Sequence, residues 1–279
     1  MYLWVRMMPD DFLEAWLRRL GMDRIPAPTV ETLRSIVQSH QDSFPFENID
    51  VYCGSVPSLE PPALAKKLIH HRRGGYCFEL NGLLRTGLEA LGFDVRPLMA
   101  RVTWERDMPG PRTHAFLLVK TGDTSWLVDA GFGGPGPVEP IEMNVGGPPT
   151  AIGGTAYRLE ETSEIQLARR SYSGAWAPLY LFNLGHIGFD DLAAGNELAA
   201  TAPGSIFRQG LKVARQSPQT RISLNGRELK RFAGAELVEA RTLQQSAEVL
   251  ESLTTDFGIE LGPEAKQALL DRLESSGLD

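Results

Sequence analysis

The spacing of apolar residues changes at Gly92, and no other feature constrains the fold of this chain as much. Before Gly92 they recur at helical intervals; after it they fall in short runs separated by turn residues. Helices first and strands afterwards is the pattern of an α+β chain. Asp11 is placed to cap a helix whose face carries Phe12, Leu13, Trp16, Leu17 and Leu20, ending at Gly21. Thr29 is placed to cap a second, with Leu33, Ile36 and Val37 as its stripe. The stretch Phe44 to Asn48 reads as a loop. A third helix is expected from Pro61-Pro62 to His70-His71-Arg72-Arg73, whose positive charges suit a helix C-terminus. A fourth starts at Cys77, carries Leu80, Leu83, Leu84, Leu88 and Leu91, and stops at Gly92.

Beyond Gly92, Val95 to Trp104, His114 to Lys120, Ser125 to Ala130, Tyr157 to Leu167 and Trp176 to Phe182 read as strands. The Pro- and Gly-rich stretches 107–112, 133–149 and 153–154 read as loops. The middle of the chain is therefore β-rich, as a barrel or curled sheet. The last part combines a strand at Arg221 to Leu224, an Asn225-Gly226 turn and a helix around Glu264 to Leu273. The divisions expected are 1–92 helical, 93–195 β-barrel and 196–279 as a smaller closing unit.

The 279 residues carry a net charge of −7, so nothing draws in nucleic acid or anionic lipid, and neither is expected as a partner. Two cysteines, Cys53 and Cys77, build no disulfide framework and suit a reducing compartment. Met1 to Met8 is apolar but interrupted by Arg6 and followed by Pro9-Asp10-Asp11, unlike a secretory signal. No run reaches the roughly 18 apolar residues of a membrane span. A cytoplasmic protein is the reading.

Chemistry concentrates in Arg73-Gly74-Gly75-Tyr76-Cys77-Phe78-Glu79-Leu80-Asn81. A sulfur at a helix N-terminus meets free backbone N–H groups and a dipole that favour negative charge. Thr121 to Thr124 would join the flanking strands so that Thr121 faces Thr124, which makes His114 and Asp129 diagonal neighbours on one face. Such diagonals lie roughly 7–8 Å apart in the backbone, within reach of an imidazole and a carboxylate. A thiol, a base and an orienting carboxylate form a nucleophile triad suited to acyl transfer through a thioester. N–H groups at the start of the Cys77 helix are candidates for an oxyanion hole. The residues leave a plainer reading open as well: a packing cysteine, an edge histidine and a turn aspartate. His40, His70, His71 and His186 read as surface or capping residues, and Cys53 as an inert thiol.

Gly131-Phe132-Gly133-Gly134-Pro135-Gly136 follows a strand and fits a dinucleotide fingerprint. Pro135, Pro137 and Pro140 deny it the helix that a nicotinamide or flavin site requires.

The Cys77 run closely resembles the active-site motif of the arylamine N-acetyltransferases. Phe46-Glu47-Asn48-Ile49-Asp50, Ala100-Arg101-Val102, Thr113-His114, Val128 to Gly133, Trp176 to Tyr180 and Pro203 to Phe207 resemble further family motifs in the family's order. The resemblance implies a helical domain, a β-barrel and an α/β lid, with a papain- or transglutaminase-like core. It implies a ping-pong reaction in which acetyl-CoA acetylates Cys77 and an aromatic amine or hydrazine takes the acetyl group. His114 would be the base and Asp129 its partner. Phe46, Thr113 and Phe132 would line the acceptor pocket; Gly133, Gly204 and Ser205 would lie against CoA. No metal is expected. Two other uses of the same triad stay open: an amide synthase that releases a polyketide chain from a carrier protein, and a Cys-His-Asp hydrolase or transglutaminase-like enzyme.

Overall fold

The computed structural model describes Met8 and residues 11–171, 173–234 and 236–275. Residues 1–7, which carry most of the stretch read above as unlike a secretory signal, lie outside them.

The helical part comes first: α1 (Phe12–Arg19), α2 (Val30–Ser43), the short α3 (Ile49–Tyr52), α4 (Pro61–Leu64) and α5 (Cys77–Ala90). Thr29 caps α2, accepting the Thr32 N–H at 3.2 Å. Asp11 does not cap α1 as expected. Its backbone (φ −91°, ψ 2°) lies outside the extended region that turns a cap side chain onto the helix, and it makes no cap bond. The third helix is expected as one piece but widens after α4 into a π-helical stretch, Ala65–His70. α5 is the central helix, with Leu80, Leu83, Leu84 and Leu88 wholly buried. They pack against Trp16 of α1 and Leu33, Ile36 and Val37 of α2, and against Val119 and Val128 of the sheet. His40, read as a surface or capping residue, is buried in this core. Its Nε2 donates to Leu80 O at 3.1 Å, which fixes the proton there, and burial drives its pKa down to about 3.

The β-rich body is an antiparallel, near-closed barrel sheet. Its strands are β2 (Asp94–Val102), β3 (Arg112–Thr121), β4 (Thr124–Val128), β5 (Ile141–Glu142), β6 (Thr150–Ile152), β7 (Thr155–Glu161), β8 (Ile165–Arg170) and β9 (Trp176–Phe182). They run in the order β5-β4-β3-β2-β9-β8-β7-β6. Tyr157 to Leu167, expected as one strand, is a hairpin, β7 turning into β8. The turn, Thr162-Ser163-Glu164, is polar but holds no Gly, Pro, Asn or Asp to mark the break. Alternation along β3 sends Phe116 into the barrel interior and Leu117 and Val119 towards α5. The β3–β4 register is the expected one, Thr121 against Thr124 and Leu117 against Val128.

The last part holds α6 (Phe189–Thr201), α7 (Ile206–Gln209), β10 (Lys212–Gln216), β11 (Thr220–Asn225), β12 (Glu228–Ala233), β13 (Glu236–Thr242), α8 (Ser246–Thr255) and α9 (Pro263–Ser275). It has a core of its own, in which Val213, Leu224 and Leu229 of the strands meet Val249, Leu253 and Leu269 of the last two helices. Phe46–Glu47, expected as loop, is a two-residue strand, β1, at the edge of this second sheet, in the order β1-β10-β11-β12-β13. Only long-range pairing with β10 makes it a strand. Among the described residues no helix is long and apolar enough to cross a membrane.

Candidate active site

Three elements converge on one point. α5 supplies Cys77 at its first position, β3 supplies His114, and the turn after β4 supplies Asp129. The expected register brings the last two together, His114 Nε2 lying 2.7 Å from Asp129 Oδ2. The Cys77 sulfur lies on the same imidazole and adds to the forces that raise its pKa. Cys77 Sγ also reaches Thr113 O at 3.7 Å. All three side chains are buried.

Charge at this point is strongly stabilised. Burial opposes a charged imidazole at His114, but the Asp129 carboxylate, its hydrogen bond and the Cys77 sulfur outweigh that and raise its pKa to about 10. Burial likewise opposes the Asp129 carboxylate. The His114 charge, the hydrogen bond to it, the Gly131 N–H and the Asn81 amide hold it below the usual carboxylate range all the same. Tyr180, wholly buried, sets its ring 5.1 Å from that of His114, and burial followed by the Asp129 charge drives its phenol well above the ordinary value.

Asn81 is the residue that motif reasoning passed over. It stands one turn after Cys77 on α5. Its Nδ2 donates to Ala115 O (2.8 Å) and Asp129 Oδ1 (3.2 Å), while its Oδ1 accepts the Ala130 N–H (3.0 Å). One side chain thus ties the helix that starts at Cys77 to β3 and to the turn after β4, which carry the His–Asp pair. The i, i+4 spacing from Cys77 was the available signal. Gly131 permits the close approach, since a Cβ there would stand 2.7 Å from Cys77 Cα and from Asn81 Nδ2.

Cys77 and His114 open into a cavity of about 750 Å³. Phe46, Thr113, Phe132, Gly133 and Gly204 line it. Phe132 meets the His114 ring edge-on at 5.1 Å. Gly133 (φ +78°) presses against Phe46, whose ring leaves no room for a Cβ. Ser205 is not part of the lining. Its hydroxyl is committed to α7, donating to Ala199 O and accepting the Phe207 N–H. Trp104, Met108, Ile206, Phe207 and Lys212 complete the wall. Trp104 and Met108 come from the β2–β3 connection, where the sequence reads as a strand end and a loop and marks neither residue as part of a site. Asn48 holds the opposite wall, donating to Phe207 O (2.7 Å) and Gly210 O (2.9 Å) and accepting the Lys212 N–H (2.7 Å). Of the remaining histidines, His70, His71 and His186 are exposed. Cys53 is a free, half-buried thiol whose pKa is raised to about 11 by burial and by Asp50.

Residues 29–266 match the sequence model of a family described as N-acetyltransferase. The arylamine N-acetyltransferase of Mycolicibacterium smegmatis is 40% identical over 256 residues, covering 90% of this chain and 92% of the relative. The solved arylamine N-acetyltransferase of Salmonella typhimurium superposes with a TM-score of 0.90 at 32% identity, covering 96% of this chain and 100% of that one. That of Mycobacterium marinum, solved in complex with CoA, superposes with a TM-score of 0.88 at 32% identity, covering 95% and 99%. Likeness in sequence and in fold, over nearly the whole of each chain, makes this protein a member of the arylamine N-acetyltransferase family of acyltransferases.

Proposed function

We propose that this protein carries the acetyl group of acetyl-CoA to the nitrogen of aromatic amines and hydrazines, by a ping-pong route through an acetyl thioester on Cys77. The observation that carries the reading is that Cys77 and His114, the latter hydrogen-bonded to Asp129, meet at the floor of a cavity walled by aromatic side chains. The M. marinum relative's complex with CoA supports CoA as the donor's carrier.

In the first half-reaction the Cys77 thiolate attacks the acetyl carbonyl, and the carbonyl π-electrons move onto oxygen. Glu79 and Leu80 N–H groups already donate to Tyr76 O. That leaves the first amides of α5, those of Cys77 and Phe78, as donors for the oxyanion. When the tetrahedral adduct collapses, the C–S bond to CoA breaks and the His114 imidazolium gives its proton to the departing sulfur. In the second half-reaction the acceptor nitrogen attacks the thioester, His114 takes the nitrogen's proton, and the Cys77 thiolate leaves. Asp129 keeps the ring oriented throughout, with Asn81 behind it. Phe46, Thr113 and Phe132 serve the acceptor, and Gly133 and Gly204 lie along the donor. On this reading residues 1–92 carry the nucleophile, 93–195 the His–Asp pair and 196–279 the lid, with α6 crossing from one to the next. A cytoplasmic setting belongs to the reading, supported by the two free thiols.

Incubation with acetyl-CoA and no acceptor is expected to add one acetyl group to the peptide containing Cys77, measured by mass spectrometry. An aromatic amine then discharges it, whereas water does so far more slowly. If Cys77→Ala becomes labelled to the same extent, the thioester route is wrong.

A further inference from the structure

A buried cluster of charges adjoins the start of the nucleophile's helix. Lys67 Nζ, from the π-helical stretch, lies 2.6 Å from Glu79 Oε1, 2.7 Å from Asp50 Oδ2 and 4.0 Å from Glu47 Oε1. Arg73, in the loop before α5, reaches Glu47 Oε1 (2.7 Å) and Asp50 Oδ1 (2.8 Å). Three carboxyl groups, from β1, α3 and α5, therefore share two cations. Glu79 faces both ways. One oxygen meets Lys67, and the other accepts the N–H of Tyr76, the residue before Cys77, at 3.1 Å. Its side chain is 2% exposed. Gly75 lies so close that a Cβ there would stand 2.8 Å from Glu79 Cβ and Oε2. The turn leading into Cys77 is thus built around this carboxyl group.

We infer that Glu79 is a positioning residue for Cys77: bound by Lys67, its carboxyl group fixes the peptide that leads into the nucleophile and conveys the charge of the buried cluster to the thiol. The inference rests on Cys77 being the reacting sulfur. Burial, with Asp50 and Glu47 beside it and Lys67 opposing them, raises the Glu79 pKa to about 7. Asp50 behaves differently. Burial opposes its charge, but Lys67 and Arg73 prevail and hold it down at about 2. Near neutral pH, then, Glu79 gains or loses a proton while Asp50 stays ionised. With Glu79 protonated the three carboxyls and two cations balance. With it ionised the cluster carries an excess negative charge two residues from Cys77, and that opposes negative charge on the sulfur.

Alkylation by iodoacetamide reports on Cys77 without acetyl transfer, and peptide mass spectrometry separates it from Cys53. Measured from about pH 5 to 9, the unaltered protein is expected to show an inflection near pH 7, the Glu79 value. Glu79→Gln keeps an oxygen for the Tyr76 N–H but cannot titrate. It should lose the inflection and react several-fold faster than the parent at the alkaline end. Lys67→Met removes the cation that lowers the Glu79 pKa, so the inflection should move to higher pH. Profiles for both variants that superimpose on the parent's would overturn the inference. Should the variants not fold, the carboxyl carbon-13 resonance of Glu79 in the unaltered protein decides. A midpoint near pH 7 supports the inference, and no titration across that range refutes it. Failure of acetyl labelling with these profiles intact would count against the acyl-transfer reading alone.

Discussion

His114 holds its charge in a place that would otherwise refuse it. An imidazole buried in an aromatic setting normally loses its proton, as His40 does. Here the Asp129 carboxylate, hydrogen-bonded at 2.7 Å, reverses the outcome. The raised pKa has a definite sign for stability. The folded state keeps the proton up to about 10, whereas an unfolded histidine releases it near the ordinary 6.5. The resulting stabilisation is complete below that lower value and is lost as pH climbs towards 10. Melting temperatures between about pH 7 and 10 should therefore fall more steeply for the parent than for His114→Gln. Equal slopes would show that the ring is neutral in the folded protein. The His–Asp contact was legible in the sequence because a short turn fixes strand register and parity fixes the face. The burial of His40 was not, because nothing local distinguishes a histidine facing a core from one facing solvent. Asn81 was legible only as a motif letter; its bonds join a helix to strands more than thirty residues away.

At the level of elements, the site is a junction between α5 and the turn after β4, and Gly131 sets how closely they meet. Gly131→Ala would drive a methyl group into Cys77 Cα and the Asn81 amide, both 2.7 Å from the added atom. Backbone cannot yield as a flexible side chain does, so the turn must shift and take Asp129 with it. Overpacking of this kind costs about 1–3 kcal/mol. A kcat reduced at least tenfold, together with a lower midpoint in denaturant, is the expected result. Unchanged turnover would mean that the junction has slack. The helices and most barrel strands were readable because their apolar spacing is strong and Gly92 separates the two regimes. β1 and the β7–β8 turn were not, the first because a distant partner creates it, the second because Thr162-Ser163-Glu164 contains none of the Gly, Pro, Asn or Asp residues that signal a turn.

Across the whole molecule, the cleft has one wall from the barrel and another from the last part of the chain. Asn48 is the fastening between the helical part and that second wall. Asn48→Ala would strip partners from Phe207 O, Gly210 O and the Lys212 N–H at once. Unpaired buried groups cost about 1–3 kcal/mol each, less wherever water replaces the amide. Hydrogen exchange over residues 207–212 should accelerate, with a weaker hold on acetyl-CoA in steady-state kinetics. Protection equal to the parent's would show that the wall stands without this fastening.

The pairing of β1 with β10 also bears on how the protein is made. Synthesis runs from the N-terminus, so β1, with Cys77 after it, leaves the ribosome well before Lys212–Gln216 exists to pair with β1. His114 and Asp129 follow soon after, but the wall that narrows the cleft, with Phe207 and Lys212, is made only later. Until then, on the proposed reading, the chain carries a reactive sulfur without the surface that narrows access to it. The cell must keep that thiol reduced and unmodified until β10 closes beside it.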